Sequence, residues 1–133
     1  MTRTRFGNVR KVLAFTVIAE IGTGLVLLLD PVLAGALLVG GNLAGAGVVV
    51  ARCLGVTLVA LGVACWRGRQ PAENVASAVL GMLIYNAAIA LYLAYAGTAA
   101  HLGGPLLWPA VVLHAVVAVL LVWFSRNEWR KAP

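Results

Sequence analysis

The sequence predicts an all-α fold: an integral membrane four-helix bundle with a short interfacial helix between its first and second spans. Three observations carry that prediction. Hydrophobic residues make up 62% of the 133-residue chain and charged residues 11%, more apolar surface than a soluble domain of this size can withdraw from water. The apolar residues gather into four runs, each close to the roughly 20 helical residues that cross a hydrocarbon core about 30 Å thick. Nine of the ten Lys and Arg residues flank those runs on one side, the bias that orients membrane helices. A single membrane domain covering residues 1–133 accounts for the length.

The first span runs from about Val12 to Leu29 and stops at Asp30-Pro31. A basic start, an apolar run and Ala34-Gly35-Ala36 resemble a cleaved leader, but the run is long, so the segment is expected to be retained. The stretch "PVLAGALLVGGNLAG", residues 31–45, is too short to cross. Val32 to Val39 is expected to lie as a short helix on the outer face, with a turn at Gly40, Gly41 and Asn42; a re-entrant loop is the alternative. The second span runs from about Ala46 to Trp66, the third from Val75 to Ala96 and the fourth from Pro105 to Phe124. Pro105 and Pro109 fall in the first turns of the last helix, where a missing N–H costs least.

The charges orient these spans. Arg3, Arg5, Arg10 and Lys11 precede the first, Arg67 and Arg69 separate the second from the third, and Arg126, Arg130 and Lys131 follow the fourth. The other two connections carry no Lys or Arg, so both termini are expected in the cytoplasm. Trp66, Trp108, Trp123 and Trp129, with Tyr92 and Tyr95, sit near span ends as interfacial aromatics do. The net charge of +6 does not point to nucleic acid, which needs a contiguous basic face rather than flanking charge.

Four strongly polar side chains interrupt the spans, one in each: Glu20, Arg52, Asn86 and His114. At a rise of about 1.5 Å per residue they lie about 9 to 15 Å below the outer span ends, in one layer. An isolated charge there costs roughly 2.5 to 3.5 kcal/mol on insertion scales, so Arg52 is expected to pair with Glu20 while Asn86 and His114 satisfy the remaining polar atoms. Thr16, Glu20 and Gly24 share one face of the first helix at four-residue spacing. Arg52, Gly55, Val59, Gly62 and Trp66 are expected to form the interior line of the second, with Ala51 and Gly55 as a small-residue pair for close helix approach. Tyr85, Tyr92 and Tyr95 are read as packing and belt residues.

The cluster has two readings, a packing staple that sets helix register and a site for a ligand, proton or ion. One His and one Glu, with no second His or nearby Cys on a shared face, fall short of a ligand set, so no metal is expected. Cys53 and Cys65, twelve residues apart on one helix, lie about 18 Å apart along its axis, too far for a disulfide. They are expected to be small buried apolar side chains. No nucleophile elbow, phosphate loop, CxxC or HExxH occurs, and no catalytic residue is assigned.

Two stretches resemble known families. "AFTVIAEIGTGLVLLL", residues 14–29, resembles the opening helix of small multidrug resistance transporters, whose membrane-embedded glutamate would correspond to Glu20. The Gly-Thr pair lies one residue closer here and the family's tryptophan-bearing third helix is absent. Residues 12–66, with the "DP" ending, a short apolar outer segment and "ARCLGVTLVALGVACW", are similar to small four-helix bacterial membrane proteins of the DoxX-like type. That likeness implies a bacterial cytoplasmic membrane and permits a quinone-like or lipid ligand; it implies no catalytic residue. The leading expectation is a non-enzymatic membrane protein, self-associating through Gly- and Ala-rich faces. It would hold a small hydrophobic molecule at Glu20, Arg52, Asn86 and His114 in a pocket open to the outer leaflet, or act as an accessory subunit. The alternatives are a small proton-coupled transporter using Glu20 and a membrane subunit of a redox complex.

Overall fold

The computed structural model describes residues 7–67 and 72–129. Five helices follow one another: α1 (Gly7–Leu29), α2 (Pro31–Val39), α3 (Ala46–Arg67), α4 (Ala72–Thr98) and α5 (Leu107–Trp129). All but α2 are long and apolar enough to cross a membrane, and no strand occurs among the described residues. Arg3, Arg5, Arg69, Arg130 and Lys131 lie outside the described residues, as does the side chain expected of Trp129 in the aromatic belt.

The helices form two antiparallel pairs. α1 packs most closely on α3 and α4 on α5, while α1 also meets α4 and α5 and joins the pairs. Glycine makes the α1–α3 contact possible. A Cβ on Gly24 would fall 2.7 Å from the Gly55 carbonyl oxygen, and a Cβ on Gly55 equally close to that of Gly24. The two backbones therefore touch without intervening side chains, the arrangement small residues permit between membrane helices.

That contact sets the rotation of α3. Its buried line is Ala51, Gly55, Leu58, Gly62 and Cys65, whereas the interior line expected from sequence began at Arg52 and ended at Trp66. Both of those residues are exposed. The two lines share Gly55 and Gly62 and differ by one residue at the other three positions, so the buried face centres on the side of Ala51, Leu58 and Cys65, and Arg52 falls on its flank. Cys53 goes with it and is exposed, contrary to its expected burial, while Cys65 is buried; both thiols are free.

Asp30 breaks the chain between α1 and α2. Its carboxylate accepts from the Leu33 N–H at 2.9 Å, capping α2, and Pro31 occupies the first turn. α2 closes at Gly40, whose φ of 75° is left-handed, a conformation glycine adopts without a Cβ penalty. The last α2 carbonyls then accept from the α4–α5 loop: Leu106 N–H to Leu37 O at 2.9 Å, and Gly104 to Leu38 and Gly103 to Val39 at 3.1 Å each. The orphan acceptors of one helix end are thus satisfied by the other helix pair.

The boundaries move for physical reasons. α1 begins at Gly7 rather than near Val12, because a helix continues past the apolar stretch through Arg10 and Lys11. α4 extends to both sides of the expected 75–96 and α3 ends one residue later. α5 starts at Leu107 instead of Pro105, residues 105 and 106 forming a turn from which the Leu106 N–H donates to α2. The packed interior runs in layers. Val9, Val75 and Val79 meet Phe124 at the end where α1 begins and α5 finishes, Leu13, Val17, Met82, Val117 and Leu121 fill the middle, and Leu27, Ala51 and Leu58 pack below α2.

Candidate functional site

Glu20 faces the interior from α1, on the stripe it shares with Thr16 and Gly24; all three are buried, Glu20 being 3% exposed. Thr16 removes its own polar atom by donating to the Val12 carbonyl at 2.9 Å. Glu20 instead faces Tyr85 of α4, the side chain whose hydroxyl interacts with its carboxyl group. Among the described residues no cation is paired with it. Arg52 lies on the exposed flank of α3, so the expected Glu20–Arg52 pair is not formed.

Asn86, next to Tyr85 on α4, is 1% exposed. Its Nδ2 donates to the Met82 carbonyl oxygen at 2.8 Å, and its Oδ1 lies 2.8 Å from His114 Nδ1 on α5. This pair decides the histidine tautomer. With Nδ2 engaged by a carbonyl, the amide presents an oxygen that only accepts, so Nδ1 carries the hydrogen. In the neutral ring Nε2 then keeps its lone pair, and no hydrogen bond among the described residues engages it. The Tyr85 and His114 rings meet edge to face, with centroids 5.8 Å apart and planes at 80°, a favoured aromatic geometry.

Three of the four expected residues therefore come together, Glu20, Asn86 and His114, and Tyr85 takes the place expected of Arg52. The cluster spans α1, α4 and α5; α3 contributes only its small-residue face. Tyr85 was expected to be a packing residue. The signal that identifies it is its hydroxyl in mid-span, which needs a partner where the bilayer offers none. Tyr92 and Tyr95 are exposed near the far end of α4 with ring centroids 6.5 Å apart, as belt residues are.

Glu20 and Asn86 are enclosed by the packing of the two helix pairs, and only Tyr85 and His114 are half-buried. What the arrangement offers chemically is an acceptor nitrogen at its accessible edge, a phenol behind it and a carboxyl group at its base. No three His, Cys, Asp or Glu side chains among the described residues gather into a metal-holding group. No family model, curated protein or solved structure matches the chain, so the DoxX-like and multidrug-transporter likenesses have only the quoted residues behind them.

Proposed function

We propose that this chain is a non-enzymatic multi-pass protein of a bacterial cytoplasmic membrane. It holds a small hydrophobic molecule bearing a hydroxyl or similar donor, a lipid or a quinol-like compound, at the Glu20–Tyr85–Asn86–His114 cluster. One observation carries the reading: Asn86 turns His114 so that the Nε2 acceptor is unengaged at the half-buried edge of a mid-span polar group. A polar group at that depth is costly to maintain and marks a functional position by default. An apolar molecule with one hydroxyl could leave the bilayer sideways and exchange no hydration shell for that hydrogen bond. Arg10, Lys11, Arg67 and Arg126 share the end of the bundle where α1 begins and α5 finishes, opposite α2 and the 99–106 loop, and their charge supports a cytoplasmic orientation of that end.

Native mass spectrometry of the detergent-extracted protein tests the reading. A bound small molecule is expected in the wild type and in Arg52→Gln, and its loss in His114→Phe and Asn86→Leu. A wild type carrying nothing beyond bulk phospholipid, or a molecule retained equally by both cluster variants, overturns it. A second reading, proton-coupled transport through Glu20, gains support from the position of Arg52. A guanidinium beside Glu20 would neutralise a cation site, and none lies there. In proteoliposomes this reading requires substrate-driven proton movement that Glu20→Gln abolishes.

A further inference from the structure

A second feature lies outside the polar cluster. Between α4 and α5, toward the end carrying the termini, runs a groove of about 560 Å³, a volume within the range of small-molecule sites. Its origin is local: Ala87 and Ala118 stand where larger side chains would fill the space, between Leu83 on one helix and Val119 and Val122 on the other. Ala118 follows His114 by one turn on the same face of α5, and His114 does not line the groove. Its occupant is therefore separate from the polar cluster.

The two ends of the groove differ in chemistry. Toward the middle of the span the walls are aliphatic, while the end near the termini is lined by Trp123, Arg126 and Asn127. Arg126 and Trp123 are exposed. An apolar furrow facing hydrocarbon, closed at the interface by an indole, an amide and a guanidinium, matches a molecule with an acyl chain and an anionic head. Arg provides a planar fork that grips phosphate at two points, and basic pockets between spans on the cytoplasmic side are where acidic headgroups bind. We infer that this groove is a site for an anionic phospholipid, with one acyl chain against Ala87 and Ala118 and the phosphate at Arg126.

Competition in mixed micelles, read by native mass spectrometry of the full chain, tests the inference with phosphatidylglycerol and phosphatidylcholine as the two lipids. The wild type is expected to retain phosphatidylglycerol in preference by about five-fold, the effect of one basic contact at the interface. Arg126→Gln should abolish that preference, and Ala118→Leu, which fills the groove, should lower retention of both lipids. Arg67→Gln removes a cation from the same end but not from the groove and should leave the preference intact. Equal retention of the two lipids by the wild type overturns the inference. So does an equal loss in Arg67→Gln, which would make the effect one of bulk charge, or a preference that survives Arg126→Gln. Ala118→Leu retaining both lipids at the wild-type level overturns the placement of the chain. His114→Phe should retain phosphatidylglycerol normally, so the lipid site and the cluster ligand fail or stand separately.

Discussion

A guanidinium on the lipid-facing side of a helix escapes apolar surroundings by pairing or by reaching the interface. Arg52 lies six residues from the start of α3, about 9 Å of helix, and helical side chains lean toward the N-terminus, here the end beside α2. Its apolar stem can lie along the flank while the charged head reaches polar headgroups. Glu20, buried in the interior from α1, has no such exit. The two charges thus differ in consequence. Arg52→Leu is expected to change the unfolding free energy in detergent by less than about 1 kcal/mol, as surface substitutions do. Glu20→Leu should cost about 1 kcal/mol, because it removes the polar partner of the half-buried Tyr85 hydroxyl. Denaturation followed by circular dichroism checks both, and equal losses would argue for a pair. Sequence alone made Glu20, Asn86 and His114 legible, because a polar residue in an apolar run stands out. It mispaired Glu20 because charge complementarity favours Arg over Tyr, and because depth says nothing about the direction a residue faces.

Direction is settled at the level of the helix, and on α3 glycine settles it. Gly55 and Gly62 bring α3 against α1 along a line one residue away from Arg52. Glycine positions announce close approach, and they were visible in the sequence, but Arg52 and Gly55 also lie three residues apart and could share a face. The outcome turns on backbone proximity outweighing one ion pair. Gly55→Val is accordingly expected to be destabilising, since its side chain would meet the Gly24 carbonyl and the Leu28 side chain. Overpacking of this kind costs typically 1 to 3 kcal/mol, occasionally more, and the melting temperature in detergent should fall accordingly. A Gly55→Val protein as stable as wild type would contradict the glycine contact. α2 was legible from Asp30-Pro31 and Gly40, which are cap and stop signals. Its tie to the α4–α5 loop was not, because backbone hydrogen bonds between distant segments leave no pattern in residue type. Asp30→Ala should cost about 1 kcal/mol through the lost cap, measured in the same unfolding experiment.

For the whole molecule, the question is what holds the α1–α3 pair to the α4–α5 pair. At one end Val9, Val75, Val79 and Phe124 pack together, and at the other the α2 carbonyls take the loop N–H groups. Midway, the Glu20 carboxyl and the Tyr85 hydroxyl cross the seam, with Asn86 and His114 completing the α4–α5 side. No more than a third of each apolar span window is buried, which leaves long faces for lipid or for further copies. The class of fold, four spans and one short helix, was legible from composition and hydropathy because the bilayer permits few backbone solutions. Which helices are nearest neighbours was not, since apolar faces look alike in sequence. The seam is tested most directly by double-mutant cycles on unfolding free energy, pairing Glu20→Met first with Tyr85→Phe and then with Arg52→Met. The structure requires a coupling of about 1 kcal/mol between residues 20 and 85, within the range of buried polar contacts in membranes, and additivity within about 0.5 kcal/mol for 20 and 52. Strong coupling of Glu20 to Arg52, with Tyr85 independent of both, would contradict it.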